Sequence, residues 1–175
     1  MSNRRATERT SETPLSLGRQ AFTERAWASA FAHLTAADRL QHLPLDDLEH
    51  LAVTAYLSGH DEDTERLLTR AYQELAAAGE IERAARSAFW LGVLLSDRGQ
   101  AAPGSGWIAR ARRLLDEHHR DTVERGYLLL PTAIASVFAG DFATAGTLFE
   151  QAAAIGDRFG DDDFVPWRAT ATAGR

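Results

Sequence analysis

Small and apolar residues recur at i, i+4 and i+7 in four places along the chain: Ala30/Leu34/Ala37, Thr64/Leu68/Ala71, Gly104/Ile108/Ala111 and Ala145/Phe149/Ala152. That spacing stripes one face of an α-helix. The stripes close on Ala37, Ala71, Ala111 and Ala152 at near-equal intervals, so the stripe itself repeats, which is the mark of a repeat architecture. Upstream of each stripe a second helical pattern carries a small residue in mid-span, at Gly18, Ala52, Gly92 and Ala133, and Gly59, Gly99 and Gly140 mark the turns between. Small residues are wanted where two helices cross at roughly 8–10 Å. The pattern therefore predicts four helical hairpins, closely packed.

Local signals place the elements. The first hairpin runs from about Pro14 to Leu43, its helices ending near Arg25 and Arg39. Pro44-Leu45-Asp46-Asp47 opens the next helix, with proline in the first turn and carboxylates at the positive end of the dipole, and Ser58-Gly59 stops it. Asp61–Ala78 follows with the stripe Leu67/Leu68/Ala71/Tyr72/Leu75 and Gly79 as its cap. The third hairpin is read as Ile81–Arg98 and Pro103–His118. Asp121-Thr122-Val123-Glu124 has capping-box spacing and opens the fourth, whose second helix spans Asp141–Phe159. Pro131 falls inside the fourth hairpin's first helix, where a kink is expected.

Met1–Thr13 holds Arg4, Arg5 and Arg9 with almost no apolar side chains, and is read as a disordered arm before a repeat domain over 14–160. Counting one further repeat length on from Gly126 brings a fifth repeat window to Trp167 and its small mid-helix residue to Gly174. Residues 161–175 are thus the start of a fifth unit or a frayed tail. Phe164-Val165-Pro166-Trp167 would be a poor polar cap, so a fragment of a longer array is expected.

The composition, 45% apolar and 25% charged, is ordinary for a globular or solenoid chain. No run of about 18 uncharged apolar residues is present and the polar N-terminus is unlike a signal peptide, so a cytoplasmic protein without membrane contact is expected. There is no cysteine, hence no disulfide or thiolate chemistry. The formal net charge of −6 is opposite to what neutralising nucleic-acid phosphates requires, so no direct DNA or RNA binding by this segment is expected.

Catalytic and metal motifs are absent from the sequence. Of the six histidines, His33, His42, His50, His60, His118 and His119, none pairs with another at i+3 or i+4, and solvated positions at helix ends are the simplest reading. Asp161-Asp162-Asp163 lacks the alternation, glycine and closing glutamate of an EF-hand loop. Gly104-Ser105-Gly106 with Ala109 imitates a dinucleotide fingerprint, yet a helix precedes it where that motif needs a strand, and close helix packing explains the glycines better. No P-loop and no Gly-x-Ser-x-Gly elbow occur. We expect no enzymatic activity, no cofactor and no metal.

Leu17-Gly18, Leu91-Gly92 and Gly140-Asp141-Phe142, with Trp27 standing where Phe142 stands, resemble the tetratricopeptide repeat over about residues 11–160, while Arg25, Asp61 and Ala101 depart from its turn consensus. The resemblance implies an all-α, right-handed α-solenoid of about four tetratricopeptide-like hairpins with an open C-terminal end. It also implies a groove lined by the first helix of each hairpin, where the non-packing positions are Arg19, Phe22, Glu49, Tyr56, Arg86, Phe89, Tyr127 and Phe138. Burial of these rings between hairpins is the alternative for each. Leu15, Glu49, Phe89 and Leu130 stand where a clamp for a C-terminal carboxylate would start, so that kind of receptor is disfavoured.

Ala26-Trp27-Ala28-Ser29-Ala30, Phe89-Trp90-Leu91-Gly92, Gly106-Trp107-Ile108-Ala109-Arg110-Ala111 and Ile155-Gly156-Asp157 further resemble the helical-repeat region of LuxR-type bacterial transcriptional regulators with MalT-like repeats. That resemblance implies a regulatory module binding a protein partner or the other domains of its own regulator. Two further outcomes are a small-molecule inducer held in the groove and an adaptor that forms a homodimer through its C-terminal end.

Overall fold

A computed structural model of the chain describes residues 13–161, and the structural statements below concern those residues. Their regular structure is helical: α1 (Pro14–Thr23), α2 (Trp27–Leu40), α3 (Leu45–Leu57), α4 (Asp61–Ala77), α5 (Ile81–Asp97), α6 (Ala101–Glu117), α7 (Glu124–Tyr127), α8 (Leu130–Phe138) and α9 (Phe142–Phe159). The arm and tail expected at the two ends fall outside this range except for Thr13 and Asp161. Thr13 caps α1: its hydroxyl oxygen accepts the Ser16 amide at 3.1 Å, with Pro14 opening the first turn.

Two compact units divide within α4, one up to Leu67 and one from Leu68. In the first, α1 packs on α2, α2 on α3, and α1 meets α3. The α1–α2 crossing is as close as its small residues allow. A Cβ added to Gly18 would sit 2.7 Å from Leu34 Cγ, too near for any real contact. In the second unit α5 packs on α6 and meets α7, while α9 takes both α7 and α8. There a Cβ on Gly92 would lie 2.9 Å from the Gly104 carbonyl oxygen, and one on Gly104 would lie 2.7 Å from the Gly92 carbonyl oxygen. The backbones of α5 and α6 touch, which accounts for Gly104 as a packing residue. Gly106 faces open space and takes no part in the crossing. All four closing alanines, Ala37, Ala71, Ala111 and Ala152, are buried.

One turn recurs seven times among the described residues. At Gly59, Gly79, Gly99, Gly140 and Gly160 the backbone enters the left-handed region, with φ between 67° and 80°. Arg25 (57°) and His119 (48°) do the same without glycine's freedom. In each case the left-handed residue's N–H donates to the carbonyl three residues back, and the next N–H donates to the carbonyl five back. After Arg25, Gly59, Gly79, Gly99 and Gly140 the following helix starts two residues on. This explains why α6 begins at Ala101 rather than at Pro103: the Gly99 turn sets the start, and Pro103 then lies in the first turn, where its missing N–H has no partner to lose.

The stretch 121–131 departs further from expectation. Glu124 does not reach back to Asp121 as a capping box would; its carboxylate accepts from the Thr122 hydroxyl, while Asp121 pairs with Arg158 at 2.5 Å. Pro131 does more than kink a helix. α7 ends at Tyr127, Leu128 and Leu129 make a tight turn in which the Leu129 amide donates to the Gly126 carbonyl at 3.1 Å, and Pro131 stands in the first turn of α8. With no N–H at Pro131, a continuous ladder across this point is impossible, and the chain resolves the conflict by ending one helix and starting another.

Candidate functional site

In the first unit the predicted groove residues are Arg19, Phe22, Glu49 and Tyr56. Arg19 is engaged: its Nε donates to Asp47 Oδ1 at 2.8 Å and its Nη2 to Oδ2 at 2.6 Å, a two-pronged grip on a carboxylate that is 3% exposed. These hydrogen bonds, then the Asp47 charge, hold the guanidinium above its ordinary pKa. Phe22, three residues further along the same face of α1, stacks on His50 of α3 at 3.9 Å and meets Trp27 edge-on at 5.6 Å. His50 is therefore a packing residue in mid-helix and not a solvated helix end, and its Nδ1 is buried with no hydrogen-bond partner. Glu49 is half-buried. Tyr56 is 55% exposed and lies between Val53 and Leu57, which are exposed as well.

In the second unit the predicted residues are Arg86, Phe89, Tyr127 and Phe138. Arg86 also grips a buried carboxylate, but through one oxygen: Nε and Nη2 both donate to Glu124 Oε1, at 3.0 and 2.5 Å, the other oxygen accepts from the Thr122 hydroxyl, and Glu124 is 3% exposed. Phe89 is 4% exposed, in a core with Ala85, Ala88 and Leu128, and has no surface to offer a ligand. Tyr127 packs on that core, 5.7 Å from Phe89, and its hydroxyl bonds Asp161 Oδ2 at 3.0 Å. Phe138 is 87% exposed, with Ile134 and Val137 beside it on α8 and Phe142 at the start of α9.

Sequence reasoning overlooked Val53, Leu57, Trp90, Ile134, Val137 and Phe142 as exposed apolar residues. A signal for most of them was available. Val53, Tyr56 and Leu57 stand one, four and five residues after the small mid-helix Ala52; Ile134, Val137 and Phe138 stand at the same offsets from Ala133. In α1 the first two of these offsets hold Arg19 and Phe22, whereas α5 holds Val93, Ser96 and Asp97 at the three, so the apolar ridge belongs to α3 and α8. The other aromatic motif residues serve packing: Trp107 meets Tyr72 edge-on at 5.2 Å and carries the Arg110 guanidinium 4.4 Å above its ring.

Among the described residues no group of three or more His, Asp or Glu side chains could hold a metal ion, and no helix is long and apolar enough to cross a membrane. BtubC (BKLC) from P. vanneervenii is similar in structure, with a TM-score of 0.60 at 14% identity over 92% of this chain and 75% of that one. A kinesin-light-chain-type protein of Podospora anserina with nearly identical TPR-like repeats aligns with a TM-score of 0.56 at 16% identity, over 92% of this chain and 89% of its own. The fold is tetratricopeptide-like. A singly substituted variant of the Podospora protein aligns with the same tetratricopeptide-like hairpins, at a TM-score of 0.57. No protein-family model matches the sequence, and no curated protein matches it either.

Proposed function

We propose that this chain is a non-enzymatic protein-interaction module. The observation that carries the reading is the exposed apolar ridge on first helices of the tetratricopeptide-like hairpins, formed in the first unit by Val53, Tyr56 and Leu57. Single exposed apolar residues are ordinary, but three clustered on one face of the last turn and a half of a helix are anchors a peptide can cover. Asp61, Glu62 and Asp63 open the helix that follows the ridge, so the partner we assign to α3 is a peptide with apolar anchors and flanking basic residues. Arg19 and Arg86 are structural in this reading, since each is engaged with a buried carboxylate.

The finer reading is that the module is the repeat segment of a cytoplasmic LuxR-like regulator, binding either a separate protein or the regulator's other domains. The sequence motifs around Trp27, Trp90, Trp107 and Ile155 support it. Peptides selected from a display library against the whole chain, then measured by titration calorimetry, test the interaction. Binding should fall about tenfold or more in Tyr56→Ala with an unchanged melting temperature; undiminished binding by that variant overturns the α3 assignment. The reading frame beyond codon 175 tests the regulator context, which predicts further repeats and a DNA-binding helix-turn-helix.

A further inference from the structure

We infer that two copies of this chain associate through the ridge of α8, with Ile134, Val137 and Phe138 of one copy lying against the same residues of the other about a two-fold axis. This goes beyond the peptide surface on α3 and does not depend on it.

The charge pattern identifies the occupant. From Gly126 to Phe149 the sequence holds a single charged residue, Asp141, although 25% of the chain is charged. That carboxylate is already engaged at the N-terminus of α9, where it accepts the Thr144 amide at 3.1 Å. A two-fold axis sets each residue's surroundings against a copy of themselves, so a surface bearing charge of one sign repels its own image. The α3 ridge fails this condition, because Asp61, Glu62 and Asp63 open the helix directly after it. The α8 ridge meets it, having no acidic or basic side chain anywhere along the helix. For the same reason a charged partner finds nothing on α8 to pair with.

The size of the patch agrees. Phe138 is 87% exposed, Phe142 60%, and Ile134 and Val137 37% each. At about 200 Å² for a phenylalanine, the two rings expose roughly 300 Å² and the four side chains together roughly 400 Å². A stable dimer takes about 800 Å² from each partner, of which about 450–500 Å² is apolar. The patch comes close to that share, and Thr132, Ala135 and Ala139, exposed along the same stretch, extend it without adding charge. Ile134, Val137 and Phe138 follow one another at i, i+3 and i+4 and so share one face of α8, the arrangement that lets two identical helices interlock side by side.

Sedimentation equilibrium of the full chain over a roughly hundredfold range of concentration tests the inference, run beside Phe138→Asp and, on the other ridge, Tyr56→Asp. The expected result is a monomer–dimer equilibrium that Phe138→Asp weakens about tenfold or more, by setting two like charges face to face, and that Tyr56→Asp leaves unchanged. Circular dichroism checks that each variant keeps its helices, and Phe138→Ser serves should the aspartate disturb α8. A monomer at every concentration overturns the inference. So does a dimer that survives Phe138→Asp or weakens equally in Tyr56→Asp. Mass that grows past the dimer overturns it as well, since a two-fold contact closes on itself.

Discussion

The junction of α1 with α3 and that of α5 with α7 use the same two devices, an arginine gripping a buried carboxylate and a pair of aromatic rings, yet the phenylalanine of the first helix is half-buried in one and enclosed in the other. Phe22, between Trp27 and His50, stays half-buried, whereas Phe89 is enclosed by Ala85, Ala88 and Leu128. The arginines also differ in place. Arg19 follows its small mid-helix residue by one position and Arg86 precedes its own by six, a separation of two turns that keeps both on one face. The teaching is that residue type on the first helix does not decide between groove and core. The depth of the neighbouring residues does: alanines at 85 and 88 let the next element close over Phe89.

The comparison can be broken most forcefully at the rings. Phe89→Ala should cost about 3–5 kcal/mol of unfolding free energy, the usual loss for a buried phenylalanine, and Phe22→Ala about half of that. Urea denaturation of both variants measures it, and equal losses would remove the distinction between the junctions. A smaller effect is expected at the ion pairs. Arg86→Ala and Arg19→Ala each strand a buried carboxylate but remove a half-exposed partner, so each should cost about 1–3 kcal/mol by the same denaturation. Lysine in place of either arginine should restore only part of the loss, because an ammonium cannot make the two-pronged contact. The smallest effect lies at the turn before α2, where Arg25 is held at positive φ. Arg25→Gly relieves that side chain, and the melting temperature should rise by the equivalent of up to about 1 kcal/mol, while Gly59→Arg should lower it by a similar amount.

The hairpins and their crossings were legible in the sequence because a close crossing admits few residue types. Gly18, Gly92 and the four closing alanines could hardly be anything larger, and their spacing survives in a single chain. Five of the seven left-handed turns were marked in the same way by glycine. The turns at Arg25 and His119 were not, since hydrogen bonds to the preceding helix hold that geometry whichever side chain is present. The Arg19–Asp47 and Arg86–Glu124 pairs were out of reach for another reason. Their partners are 28 and 38 positions apart, at offsets that differ between hairpins, so no period points to them. Exposure along the first helices was half legible: Tyr56 and Phe138 were picked out, while Val53, Leu57, Ile134 and Val137 needed the ridge to be traced residue by residue from the small mid-helix position.

The helix pairings described join elements no more than two apart along the chain, as in α1 with α3, α5 with α7 and α7 with α9. Wiring of this kind closes only short loops before contacts are gained, so little chain entropy stands between the unfolded ensemble and a first native hairpin. Folding should therefore be fast and free to begin at more than one hairpin, and during synthesis a hairpin can form as soon as its second helix has left the ribosome. Hydrogen exchange would show the same property in reverse. Amides of the α7–α8 break should open before those of α5 and α6, whose touching backbones make them the natural starting point.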